Sequence, residues 1–114
     1  MLFTCVVAEP MHGESKKYMI LEFDKTNTHT IKTTNMKNSL QVLQLVDPLK
    51  GNTLKVKIPF RYNRVMCAVT GGKTIQEMVK GDRVQVDIKY CGWWQSGDVG
   101  GPTWKFASVA YCPV

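Results

Sequence analysis

Residues 80–113, KGDRVQVDIKYCGWWQSGDVGGPTWKFASVAYCP, constrain the fold more than any other stretch of this chain. Val84, Val86, Ile88 and Tyr90 alternate with Arg83, Gln85, Asp87 and Lys89. Successive side chains of a strand point to opposite faces, so a period of two marks a strand with one buried face. Trp93 and Trp94 follow, then Ser96, Gly97, Asp98, Gly100, Gly101 and Pro102, which accept turn geometry. The chain returns over residues 103–112, rich in aromatic and β-favouring residues. The stretch predicts a long antiparallel hairpin joined by a glycine-rich loop, with tryptophans flanking its tip.

The remaining sequence supplies shorter strands. Residues 1–8 and 18–24 read as two strands separated by the polar break His12-Gly13-Glu14-Ser15. Residues 26–38 are polar and threonine-rich, and read as a mobile strand or a long loop. Residues 39–46, SLQVLQLV, are expected to form a buried strand, closed by the turn residues Asp47, Pro48, Gly51 and Asn52. Residues 54–62 alternate most cleanly. Leu54, Val56, Ile58, Phe60 and Tyr62 share one face, and Lys55, Lys57 and Arg61 the other. Pro59 has no N–H for a ladder, which argues for an edge or a bulged strand. Residues 64–69 read as a further short strand. Residues 73–79 read as a short helix, opened by a Thr74–Glu77 capping box, striped by Ile75, Met78 and Val79, and ended by Gly81.

A chain of 114 residues suffices for one core. The order of elements predicts a single all-β domain over residues 1–114: a five-stranded OB-like barrel with one short helix before the last hairpin. Closing the sheet also removes edges that would otherwise pair between molecules.

Composition narrows the function classes. Fifteen Lys and Arg against nine Asp and Glu give a net charge of +6, which favours polyanionic partners. The plain alternative is a well-solvated basic surface. No stretch approaches the roughly 20 apolar residues of a membrane span, and no leader peptide is expected at the N-terminus. Cys5, Cys67, Cys91 and Cys112 form no CxxC pair, so neither a zinc knuckle nor a thioredoxin-type site is suggested. Reduced thiols in the cytoplasm, of the host cell if the source is viral, are the expectation.

Catalytic patterns fail on spacing. Gly71-Gly72-Lys73-Thr74 resembles the end of a phosphate loop, but Cys67 stands where the motif needs its first glycine. No Ser/His/Asp arrangement can be assembled, His12 and His29 lie in polar surroundings, and Glu22 and Asp24 read as a solvated strand end. No enzymatic activity, cofactor or metal is therefore expected.

Basic and aromatic residues on the same strands give the positive reading. The candidate binding face comprises Lys55, Lys57, Arg61, Tyr62, Arg64, Arg83, Lys89, Trp93, Trp94 and Lys105. Rings stack on bases while Lys and Arg track phosphates, which single-stranded nucleic acid exposes together. Trp93 and Trp94 should face opposite sides, one toward the core and one free to stack. Trp104 and Phe106 share a face expected to be core.

Over VKGDRVQVDIKY, the loop CGWWQSGDVGGP, the closing strand TWKFASVAYCP and the order of elements, the chain resembles the small OB-fold single-stranded DNA-binding proteins of phages, including the gene V type of filamentous phages. The resemblance implies a non-catalytic protein that binds single-stranded DNA cooperatively, coats replication intermediates and forms homodimers. The strand over residues 54–62, if at an edge, would be the place for a second copy to pair. The tryptophans at the hairpin and the four cysteines depart from the pattern, as does the lack of a long acidic C-terminal tail. RNA would satisfy the same contacts, because stacking and phosphate binding do not test for a 2′-hydroxyl. The competing reading is a viral structural or protein-interaction domain with its tryptophans in a protein interface; a secreted, disulfide-linked domain is a third.

Overall fold

The computed structural model describes residues 1–37 and 42–113. Its strands are β1 (Leu2–His12), β2 (Lys17–Glu22), β3 (Gln44–Leu45), β4 (Leu49–Lys50), β5 (Thr53–Ile58), β6 (Phe60–Arg61), β7 (Arg64–Val65), β8 (Ala68–Thr70), β9 (Arg83–Ser96) and β10 (Val99–Tyr111). One α-helix, α1 (Lys25–Lys37), follows β2, and a 3-10 turn (Ile75–Glu77) precedes β9.

Five strands close a ring. β1 pairs antiparallel with β2 and β9, β2 with β5, and β9 with β10. The ring is sealed where β10 runs parallel to β5, with Lys105 opposite Lys57. This is the expected five-stranded OB-like barrel. Alternation puts Phe3, Cys5 and Val7 from β1 and Met19 and Leu21 from β2 inside, together with Leu54, Val56 and Ile58 from the apolar face of β5. Val84, Val86 and Ile88 of β9 and Trp104, Phe106 and Val109 of β10 complete the core. No helix among the described residues is long and apolar enough to cross a membrane.

The closing hairpin is tighter than the sequence reading expected. Ser96 pairs with Val99, so Gly97 and Asp98 alone form the loop, with Gly97 at a φ of +60°. Trp93, Trp94, Gly100 and Gly101 belong to the ladder rather than to a loop. The glycines serve close approach. A Cβ on Gly101 would collide with the Val46 carbonyl, and one on Gly100 would lie 2.6 Å from the Trp94 carbonyl oxygen. Without those carbons the segment leading through β3 lies along β10, where Val46 N–H donates to Gly100 O at 2.8 Å and Gln44 N–H to Asp98 O at 2.9 Å.

Four local expectations change. Residues expected as loop or mobile strand form α1, started by Asp24, whose Oδ1 accepts the Asn27 N–H at 2.8 Å. The helix has few apolar residues, yet Ile31 and Asn35 lie one turn apart on the face that covers the barrel. Of the expected buried strand over residues 39–46, residues 39–41 lie outside the described part, and Leu43, Leu45 and Val46 are exposed. The expected helix over residues 73–79 contracts to the 3-10 turn, with the Glu77 carboxylate accepting from the Thr74 N–H at 3.1 Å and hydroxyl at 2.9 Å. Finally, β5 ends at Ile58. Pro59 breaks it from β6, and β5 is paired on both sides, by β2 and by β10 and β4, so it offers no free edge to a second copy.

Candidate functional site

Register brings lysines into line on the barrel's outer surface. Lys89 of β9 stands opposite Lys105 of β10, which stands opposite Lys57 of β5, which stands opposite Tyr18 of β2. Neighbouring strands are about 4.8 Å apart, so the row crosses roughly 14 Å of surface. Like charges placed directly opposite each other destabilise a sheet. The Lys57 pKa falls below the ordinary lysine value, first because burial withdraws water from the ammonium, then through the charges of Lys105 and Lys16.

Two contiguous grooves flank this row and share Lys16 and Lys57. One, of about 440 Å³, is lined by Lys16, Lys17, Lys57, Phe60, Arg61, Met66 and Lys105 among others. The second, of about 740 Å³, runs past Tyr18, Lys50, Lys55, Trp94, Pro102 and Thr103. Together they gather seven cations (Lys16, Lys17, Lys50, Lys55, Lys57, Arg61 and Lys105), whereas Asp47 is the one carboxylate among the described lining residues. Such a trough concentrates positive potential over a partly apolar floor.

The aromatic residues divide clearly. Trp94 is 40% exposed and lines the larger groove. It pairs with Gly101, four residues before Lys105 on the same strand, or about 13 Å at strand rise. Trp93 is half-buried, and its indole nitrogen is shielded from solvent without a hydrogen-bond partner. Trp104 is 1% exposed and belongs to the core, as expected, with Phe106.

The ten residues named from sequence separate by position. Lys55, Lys57, Arg61, Trp94 and Lys105 line the grooves, Lys89 extends the lysine row, and Trp93, opposite Pro102, lines neither groove. Tyr62 and Arg64 lie beyond the grooves on the β6–β7 hairpin, where Arg61 faces Arg64 and Tyr62 is 88% exposed at a φ of +53°. Arg83 stands apart, opposite Val6 near the start of β9, six residues and about 20 Å from Lys89. Sequence reading missed Lys16, Lys17, Tyr18, Lys50 and Phe60 as members of the set. Tyr18 was detectable by parity, since Met19 and Leu21 point into the core and leave Tyr18 on the outer face.

Lys73 Nζ bonds Asp82 Oδ2 at 2.7 Å and lies 4.8 Å from the Tyr111 ring centroid. That bond raises the Lys73 pKa and lowers that of Asp82, which also accepts the Val79 N–H at 3.0 Å. The glycine-rich turn therefore directs its lysine to a carboxylate. The four cysteines are free thiols, and no three His, Cys, Asp or Glu among the described residues cluster so as to hold a metal. Comparison of the chain with protein-family models, curated proteins and solved structures found no match.

Proposed function

We propose that this protein binds single-stranded nucleic acid, with little regard to sequence, along the outer face of β2, β5 and β10. The observation that carries this reading is the row Lys89–Lys105–Lys57 beside Tyr18, flanked by two grooves that together hold seven cations, with Trp94 in the larger one. Phosphates would neutralise lysines whose proximity costs the free barrel stability, and exposed bases would stack on the rings. The contacts are to charge and ring faces, which every nucleotide presents, so binding is sequence-tolerant. The chain itself acts as a stoichiometric coat rather than a catalyst, as the resemblance to phage single-stranded DNA-binding proteins implies. Replication intermediates in the cytoplasm, of a host cell if the source is viral, are the corresponding setting.

The test is a titration of tryptophan fluorescence with single-stranded and duplex oligonucleotides at several salt concentrations. Tighter binding to single strands, weakening as salt rises, is the expected result. Equal or tighter binding to duplex at matched salt overturns the reading. Sedimentation of the same mixtures shows whether copies associate on the strand.

A second reading rests on a different observation. Leu43, Leu45 and Val46 are 86%, 54% and 46% exposed, and the latter two adjoin Trp94 in the larger groove. Such apolar surface suits a protein interface. Under that reading oligonucleotides leave tryptophan fluorescence unchanged, and Leu43→Ser affects partner capture but not nucleic-acid binding.

A further inference from the structure

Two rings of the groove carry lysine ammonium groups. Lys55 Nζ lies 4.3 Å from the Tyr18 ring centroid, and Lys17 Nζ lies 5.6 Å from that of Phe60. Both distances fall within the range at which a ring attracts a cation. Stacking and phosphate contacts would therefore compete for the same parts: the ring is covered, and the cation is engaged. A charge-assisted bond to phosphate is much stronger than an exposed ammonium–ring contact, so a phosphate that reaches the groove wins the lysine.

We infer that Tyr18 and Phe60 are nucleobase platforms held covered by Lys55 and Lys17, each uncovered when a phosphate of the bound strand draws its lysine away. The inference rests on the proposed nucleic-acid reading and adds two subsites to it. Each takes one base together with an adjacent phosphate, the phosphate opening the ring that the base then occupies. The two differ in readiness. Lys17 also donates to the Gly13 carbonyl oxygen at 2.6 Å, which it must give up, whereas among the described residues the Lys55 ammonium contacts the Tyr18 ring alone. Tyr18 therefore opens first. On the β1 side the His12 ring lies 6.3 Å away between centroids, and on the β5 side Tyr18 faces the groove it shares with Lys55 and Lys57, from which a base would enter. Binding energy then depends on base and phosphate arriving together, which distinguishes a nucleic acid from a simple polyanion.

Nuclear magnetic resonance of the full chain tests this directly. In the free protein the Lys55 ε-methylene protons should be shifted upfield by the Tyr18 ring. Adding an oligothymidylate of about eight residues, within the span of one OB fold, should return them to ordinary lysine positions. It should also give contacts between thymine and the Tyr18 ring. An abasic oligomer with the same number of phosphates should release Lys55 without those contacts. Tyr18→Leu should weaken oligothymidylate binding roughly 5- to 150-fold and leave the abasic oligomer unaffected, while Tyr18→Phe, which keeps the ring, should bind as the parent does. Oligothymidylate binding with Lys55 still shifted, or equal weakening of both oligomers by Tyr18→Leu, overturns the exchange while leaving the nucleic-acid reading intact. Failure of oligothymidylate to bind at all overturns both.

Discussion

The indole N–H of Trp104, deep in the barrel, donates to Asn35 Oδ1 at 2.8 Å and so fastens α1 to the last strand. Both partners are buried, so removing one strands the other away from water. Asn35→Ala should lower unfolding free energy by about 1–3 kcal/mol, the cost of an unpaired buried donor, partly offset by the better helix propensity of alanine. Chemical denaturation of the two proteins checks this; an unchanged midpoint would show that the bond contributes nothing.

Lys57 should trade stability for binding. Lys57→Met removes one of two like charges facing each other across the seam and should raise stability by about 0.2–1 kcal/mol. Nucleic-acid affinity should fall, and the salt slope should shrink by about 0.7. The pH dependence has a definite sign. A lysine whose folded pKa is lowered penalises folding fully below that value, and the penalty is relieved as pH rises toward the ordinary 10.5. The stability advantage of Lys57→Met should therefore shrink across that alkaline window, which paired thermal melts would reveal.

Trp94 should act through its face rather than through charge. Trp94→Ala should weaken single-strand binding by about 1–3 kcal/mol with the salt slope unchanged, because stacking releases few counterions. Its 40% exposure means that thermal stability should change far less than for a core tryptophan. Salt-dependent titrations of this variant beside Lys57→Met separate the two kinds of contact.

The thiols should react in an order set by their surroundings. Burial, and then the neighbouring Cys112, push the Cys5 thiol up to about 12. Cys91 is exposed. At mildly alkaline pH a thiol reagent should modify Cys91 first and reach Cys5 only on unfolding, when all four should titrate. Fewer than four thiols in denaturant, without reductant, would indicate a disulfide.

The parts legible in the sequence were those in which a period of two coincides with burial. Val84, Val86 and Ile88, and likewise Leu54, Val56 and Ile58, announced both their strands and their inward faces. Helix α1 was hidden because its hold on the barrel needs only Ile31 and Asn35, too few to impose a period on a run of threonines, although Asp24 at its start was a readable signal. The tryptophans do flank the hairpin tip, but the loop reads too long in sequence because Gly100 and Gly101 look like turn residues, whereas they pair in the ladder and make room for the Val46 backbone. The proposed binding face was half visible. Lys55 and Lys57 declared themselves by alternation, but the convergence on Lys57 comes from long-range pairing: the antiparallel β2–β5 ladder brings Tyr18 and Lys16, and the parallel pairing of β5 with β10 brings Lys105, and no local pattern encodes either.

That seam gives the barrel an uneven stiffness. Its one parallel junction within the ring is bridged where Lys57 meets Lys105, so the staves part most readily there, and any dissolved anion helps hold them together. Backbone amides along β5 and β10 should exchange with solvent fastest at low ionic strength and slow as salt rises. If a polyanion binds along that seam, as proposed, it should slow exchange there further, in the manner of a rivet.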